Sequence, residues 1–393
     1  MADEKQAKKY CIQSISKGNK LAEGMKHLFG WKTKKNLELS FQLFYQCTND
    51  EKQLKYKDAS YSLFFVGRAY NIEAGVKRDM NKAVDYYEKS IKLGNTSSMY
   101  NLALIYETGK EGVEKNIKKS VELYMMASNL NDSGAMYNLA LIYETGNDEI
   151  EKDTKKTFEL YSLSAKLKHP SSINNLALIY EHGKHGIEKN FEKALELYQE
   201  GVLMNHPSSI YNLALIYQYG RNLPKDIKKA VELYQKAVKF NHPNSMFNLA
   251  LIYENGTDEI TKNNKYAAQL YQKASEHNHV SSTIKLSMIY EFGQEGIGKD
   301  IDLSVSLLFK AITISKDTPK IKEKFLQVLH KNKVEWKEVY HVHWNGEEGL
   351  NDQILTILLV SKFRRESKNK IVYTFVKGLS MKFVKYLCEF RKK

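Results

Sequence analysis

The sequence predicts an all-α protein: an α/α right-handed superhelical solenoid of about seven repeats, with helical N- and C-terminal caps. Three observations predict it. The heptapeptide Asn101-Leu102-Ala103-Leu104-Ile105-Tyr106-Glu107 returns nearly unchanged from Asn138, Asn175, Asn212 and Asn248, and in worn form from Lys285, at intervals of 37, 37, 37, 36 and 37 residues. Self-similarity at such a period marks stacked supersecondary units. A glycine stands three residues after each motif tyrosine, at Gly109, Gly146, Gly183, Gly220, Gly256 and Gly293. An aromatic then recurs at Tyr87, Tyr124, Tyr161, Tyr198, Tyr234 and Tyr271, with Leu308 in the seventh place.

The first helix of each unit, helix A, carries the heptapeptide. At 100° per residue Met99, Leu102, Ile105 and Tyr106 share one arc, with Ala103 at its margin. Helix B follows, with Val121, Tyr124, Met125 and Ser128 spaced i, i+3, i+4 and i+7 from Ile117 to Asn129. The glycine between them suits a helix end where φ turns positive. Eight residues before each helix B aromatic stands an N-cap residue: Asp79, Asn116, Asp153, Asn190, Asp226, Asn263 and, before Leu308, Asp300. Helix B ends at Gly94, Asn131, Asn205, Asn241 or Asn278, and Pro170, Pro207 and Pro243 fit the first turn of the next helix A. The residue after the first core leucine of helix A is small in every unit: Gly67, Ala103, Ala140, Ala177, Ala214, Ala250 and Ser287. That stripe allows two helix axes to approach closely.

On these residues the chain resembles the Sel1-like repeat family, α/α solenoid relatives of the tetratricopeptide repeat. The first unit keeps Gly67, Tyr70, Gly75-Val76, Asp79, Lys82-Ala83, Tyr86-Tyr87 and Ser90 of the family pattern. Later units put alanine where the family has glycine, and several replace the second turn glycine with Glu149, Leu223 or Glu259. The period near 37 separates the chain from a 34-residue tetratricopeptide array. The resemblance covers residues 60–316 and implies structural roles for the small-residue stripe and for Tyr106, Tyr143, Tyr180, Tyr217 and Tyr253.

Residues 1–59 read as a helical N-terminal cap containing a degenerate repeat, because Asn36 to Cys47 copies helix B with Phe44 in the aromatic place. Residues 317–393 read as a basic C-terminal helical domain, with an apolar helix over 350–363. Of the net +14, the repeats contribute almost nothing, with 31 Lys and Arg against 30 Asp and Glu, so the excess lies at the ends. A groove tracking a phosphate backbone would carry the charge itself. From Lys362 onward the tail holds 11 basic and 2 acidic residues, and nucleic-acid or anionic-membrane binding through it is the alternative function. The tail is similar to those on repeat proteins of large DNA viruses of protists, and the Lys, Asn, Ile and Tyr richness fits an AT-rich genome.

Three cysteines, Cys11, Cys47 and Cys388, do not recur with the repeat, which points to a reducing compartment. The charged start has no signal-peptide core and no apolar run is long enough for a bilayer, so an intracellular, cytoplasmic protein is expected. Catalytic motifs are missing: no Gly-x-Ser-x-Gly, no phosphate-cradling loop, no His-Glu-x-x-His. His169, His206, His242 and His279 recur one per unit at the return turn, which spreads them too far apart for one metal. No enzyme, metal or cofactor is expected.

The expected function is a protein-protein interaction scaffold or adaptor. In solenoids of this family helix A lines the inner, concave surface. There Asn101, Asn138, Asn175, Asn212 and Asn248 form a ladder whose amides could pair with an extended peptide backbone. Tyr100, Tyr137, Tyr211 and Phe247, one residue earlier, would add aromatic contacts. The alternative is that each asparagine braces its neighbouring repeat. The lysine pairs 118–119, 155–156 and 228–229 read as a solvated outer face, and the tyrosines as core residues with hydroxyls at the rim.

Overall fold

The computed structural model describes residues 19–49, 56–315 and 319–332. The readings placed on residues 1–18 and 333–393, including the apolar helix and basic tail, lie outside the described residues. Among the described residues there are 17 helices and no strand, only two isolated bridges, Lys110 with Val113 and Gln294 with Ile297. The chain divides into two compact units, Met1–His206 and Pro207–Lys393.

In the first unit the helices are α1 (Lys20–Phe29), α2 (Leu37–Asn49), α3 (Tyr56–Ile72), α4 (Met80–Lys92), α5 (Thr96–Thr108), α6 (Ile117–Asn129), α7 (Ser133–Thr145), α8 (Thr154–Lys166), α9 (Pro170–His182) and α10 (Phe191–Leu203). Each packs on the next. The second unit holds α11 (Pro207–Tyr219), α12 (Ile227–Val238), α13 (Pro243–Asn255), α14 (Asn264–Glu276), α15 (Val280–Phe292), α16 (Ile301–Ser315) and α17 (Pro319–Lys331), again in consecutive contact. From α3 to α16, odd-numbered helices are helix A and even-numbered ones helix B.

The caps fall where the spacing puts them. Asp79, Asn116, Asp153, Asn190, Asp226 and Asn263 each accept the backbone N–H three residues on, and Asp300 takes that of Leu303 at 2.9 Å. Gly109 ends α5 at φ 64° with its N–H on the Ile105 carbonyl. Helix B turns back through left-handed residues at Gly94, Asn131, Asn205, Asn241 and Asn278, and through Lys168 in the third repeat.

Helix A is the more buried layer and helix B is half exposed. In α5 only Thr108 is exposed, whereas α6 exposes Lys118, Lys119, Glu122, Met125, Met126 and Asn129. The predicted arc on helix A needs one correction. Ala103 is fully buried at the centre of the contact, and Tyr106 is only half-buried at its edge. The helix B ring Tyr124 shares one buried cluster with the alanine.

The same packing continues at each end. In α1, Gly24 takes the small-residue place: a Cβ there would stand 2.6 Å from Phe44, which is buried on α2. Gly30 ends α1 in the left-handed region and Asn36 caps α2 through the Leu39 N–H at 3.0 Å. At the other end α17 opens on Pro319, as α9, α11 and α13 open on prolines. Its Phe325, Val328 and Leu329 are buried with Val305, Leu308 and Ile312 of α16.

Three helix A N-caps are histidines. His169, His242 and His279 accept the N–H groups of Ser172, Ser245 and Ser282 through Nδ1 at 3.4, 3.3 and 3.2 Å. Asn95 and Asp132 do the same for α5 and α7. Burial pushes His169 and His279 below the ordinary histidine value, Asp132 opposing it at His169. His206 is lowered likewise, by burial and by the neighbouring His169.

Two predictions follow from this packing. Ala177→Leu, overfilling a site with no exposed surface, should cost roughly 1–3 kcal/mol in a denaturant melt. Because the folded histidines bind protons less readily than the unfolded chain, their stabilisation is complete above the unfolded value of 6.5 and is lost as pH falls through the folded values. The thermal midpoint should therefore fall between about pH 7 and about pH 5. The fall should shrink when His169→Asn and His279→Asn install the non-titrating cap already present at Asn95.

Candidate functional site

The first six helices B each set one phenol at the middle of their repeat. Tyr87, Tyr124, Tyr161, Tyr198, Tyr234 and Tyr271 have no exposed surface. The ring rests on the small helix A residue; a Cβ on Gly67 would stand 3.1 Å from Tyr87 Cδ1. A buried hydroxyl needs a partner. Tyr124, Tyr161, Tyr198 and Tyr271 donate to Glu107, Glu144, Glu181 and Glu254, which lie near the end of helix A, at 2.7, 2.7, 2.6 and 2.8 Å. Tyr234 donates to Gln218. The hydroxyls therefore end on a half-buried acceptor of helix A.

Burial first, and then the adjacent carboxylate, push Tyr124, Tyr161 and Tyr271 far above the ordinary phenol value, so they remain donors. Burial alone would raise Glu254. Hydrogen bonds from Tyr271, Lys285 and Gln294 outweigh it and hold the carboxylate below its ordinary range.

The asparagines meet these phenols from the following repeat. Asn138 Nδ2 donates to the Tyr124 hydroxyl at 3.0 Å and to that of Tyr100 at 3.3 Å. Asn248 reaches Tyr234 at 3.1 Å. Asn175 bonds the Tyr161 hydroxyl and accepts from Asn174 at 3.3 Å. Asn101 turns instead to the Ser97 carbonyl at 2.7 Å, and Asn212 is half-buried at the same position. The amide N–H groups of Asn101, Asn138 and Asn248 thus bond within the array. Among the described residues nothing donates to Oδ1 of Asn101 or Asn138.

Tyr100, Tyr137, Tyr211 and Phe247 are half-buried and lie 5.8–6.0 Å from the helix B ring of their own repeat. The last three also pack on the capping imidazoles of His169, His242 and His279 at 4.9–5.2 Å. Tyr106, Tyr143, Tyr180 and Tyr217 have a different neighbour. The ammoniums of Lys119, Lys156, Lys193 and Lys229 sit 5.0, 4.8, 5.2 and 4.2 Å from their ring centroids, and Lys82 does so over Tyr70 at 5.4 Å. The second lysine of each pair is therefore a lid on a tyrosine, worth about 0.5–1 kcal/mol at an exposed site, and not simply solvated. In the sixth repeat Tyr266 replaces it, edge-on to Tyr253.

Sequence reasoning missed the glutamates and these lysines. The signal was present: each glutamate precedes its tyrosine by 17 residues, and each lysine stands three residues after a helix B cap. Among the described residues no cluster of three His, Cys, Asp or Glu could hold a metal; His185 bonds Glu144 at 3.2 Å. Nor is any described helix long and apolar enough to cross a membrane.

A family model described as Sel1 repeat matches residues 60–95, 96–132, 133–169, 170–206, 207–239, 243–279 and 280–313, well over half the chain. No curated protein sequence matches it. Two bacterial structures share the fold. The protective antigen c5321 of uropathogenic Escherichia coli, which displays an SLR fold, is 20% identical with TM-score 0.58, over 91% of this chain and 70% of that one. A Sel1 repeat protein from Oxalobacter formigenes is 22% identical with TM-score 0.56, over 65% of this chain and 96% of that one. These matches give no support to the viral origin expected from composition.

The phenol–carboxylate pair can be tested by a double-mutant cycle. Tyr124→Phe should cost about 1–3 kcal/mol, because it leaves the Glu107 carboxylate without its donor. Adding Glu107→Leu, which recreates the Phe44 and Leu28 pairing of the first hairpin, should recover at least half of that in a denaturant titration.

Proposed function

We propose that this chain, which belongs to the Sel1 repeat family, is a non-catalytic scaffold or adaptor that holds an uncharged stretch of a protein partner on the helix A surface. The observation that carries this reading is the distribution of charge. In α5, α7 and α9 the only acidic or basic side chains besides His182 at the end of α9 are Glu107, Glu144 and Glu181, each bonded to a buried tyrosine. In these three repeats the lysines and other acids stand on helix B and on the turns.

What helix A offers instead is neutral. Leu104, Leu141 and Leu178 are half-buried, one per repeat, beside the asparagines and the edges of Tyr100 and Tyr137. The Oδ1 atoms of Asn101 and Asn138, to which no described residue donates, suit peptide N–H donors, and the leucines suit apolar side chains between them. A charged ligand would lose hydration there without finding an opposite charge.

Two lysines on this surface, Leu104→Lys with Leu141→Lys, should lower partner capture by the full chain at least about tenfold, equivalent to ~1.4 kcal/mol. Both positions are partly solvated, so the thermal midpoint should change little. Deleting residues 362–393 should leave capture intact. Capture that survives the lysines, or that disappears with the tail, would overturn the proposal.

A further inference from the structure

The turn between α1 and α2, residues 30–36, differs from the turn inside every later hairpin. From Lys26 to Leu37 the chain has four lysines, Lys26, Lys32, Lys34 and Lys35, and no acid. Each of the seven later turns carries at least one acid, from Glu73 in 73–79 to Glu295 in 293–300, and none carries an aromatic. The first turn carries Trp31.

Backbone hydrogen bonds fix its shape. Gly30 ends α1 at φ 70°, the Trp31 N–H lies on the Lys26 carbonyl at 3.0 Å, and Lys32 is itself left-handed at φ 54°. The Asn36 N–H returns to the His27 carbonyl at 3.1 Å, which draws the start of α2 back to the end of α1. Within that frame Trp31 stacks on Phe29, with ring centroids 4.9 Å apart and planes 20° from parallel. Lys32, Lys34 and Lys35 are exposed, and none of them forms an ion pair among the described residues.

Aliphatic side chains adjoin the rings. Leu28, Leu37 and Ile72 line a small cavity with Phe41, Phe65 and Arg68. Phe29 is 44%, Leu37 41% and Ile72 52% exposed, so large apolar groups are left partly in water beside unpaired ammoniums. Neither half of that arrangement stabilises the fold, and together they match a surface that is apolar below and anionic above.

We propose that this turn docks the chain on an anionic phospholipid surface. Trp31 seats at headgroup level, with Phe29, Leu37 and Ile72 against the upper acyl chains. Lys32, Lys34 and Lys35 lie among the headgroup phosphates and carboxylates. A single-stranded RNA would use the lysines and one ring face, and would gain nothing from two aliphatic side chains. The contact is peripheral, since no described helix is long and apolar enough to cross a bilayer. It uses none of the helix A surface of the later repeats, and so is independent of the scaffold reading.

Flotation of the full chain with vesicles of phosphatidylcholine, with and without phosphatidylserine, tests the site. The chain should float with the vesicles that contain phosphatidylserine and not with phosphatidylcholine alone, and added salt should weaken the binding. Lys32→Glu with Lys34→Glu should lower it at least about tenfold, and Trp31→Ser at least about threefold. Because Lys32 and Lys34 are exposed and make no ion pair among the described residues, the thermal midpoint of the double variant should not move, which separates lost binding from lost folding.

Equal flotation with phosphatidylcholine alone, undiminished flotation of the double lysine variant, or no flotation of the intact chain would each overturn the proposal. Binding that survives the turn variants and disappears when residues 362–393 are deleted would place the membrane contact on the tail, against this site. Retention of a single-stranded RNA in place of vesicles, lost with the same variants, would assign the turn to nucleic acid and also overturn it. Partner capture that fails with Leu104→Lys and Leu141→Lys while flotation persists leaves both readings standing, and flotation that fails while capture persists removes this one alone.

Discussion

One hydrogen bond inside repeats 2 to 6 constrains the rest: a phenol with no contact to water must hand its proton to an acceptor at the end of the preceding helix. Leaving a hydroxyl unpaired in an apolar interior costs several kcal/mol, and an ionised acceptor makes the strongest available bond. From that requirement the other invariants follow. The helix A residue beneath the ring must be small, as at Ala103 and Ala140 with no exposed surface. The turn must bring the Glu107 carboxylate within 2.7 Å of Tyr124. The second lone pair of the same hydroxyl takes an amide from the following repeat, at 3.0 Å from Asn138. Tyr124, Tyr161 and Tyr234 are thus shared between neighbours, which is how a stack of small hairpins becomes cooperative.

The ends of the array show what happens when one member of the set is missing. In the α1–α2 hairpin hydroxyl and carboxylate are lost together, Phe44 replacing the tyrosine and Leu28 the glutamate, and an apolar contact closes the gap. In the seventh repeat the tyrosine alone is gone. Leu308 is buried in its place and Glu291, 4% exposed, has no phenol to bind. Lys324 and Lys331 of α17 approach that carboxylate at 2.8 and 3.6 Å instead. Lys324 lies five residues after Pro319, as Asn175 and Asn248 lie five after Pro170 and Pro243, so a capping helix supplies its charge from the ladder position. Lys285, also at that position, already does this for Glu254 at 3.1 Å. Repeat 1 is the reverse case, keeping the phenol without the acid: Asn71 stands in the glutamate's place and donates to the Tyr87 hydroxyl at 3.5 Å.

Neutrality on one layer and charge on the other follow from the same packing. Helix A touches neighbours on most of its circumference, so an ion there would be desolvated; the glutamates near its end are bonded to a phenol or a lysine. Helix B has a free outer face where lysines remain hydrated, and some of those lysines fold back over tyrosine rings at the layer boundary. The histidine caps belong to this pattern as well, because a neutral imidazole can accept a backbone N–H at a helix start that disfavours a cation.

The sequence by itself determined the repeat, its period, the alternation of two helices, the caps and the small-residue stripe, because each of these depends on local propensity or on spacing along one helix. Asp153 and Gly146 could be placed on their turns without coordinates for that reason. It also located Asn138 and Tyr100 on one surface. Only the tertiary structure decided which way those side chains turn: whether the Asn138 amide faces a ligand or the Tyr124 hydroxyl, whether Lys119 faces water or Tyr106, and whether Ala103 or Tyr106 is central. Those choices are made between segments 14 to 40 residues apart, where the contact depends on how hairpins stack, and no periodicity within a single helix encodes it.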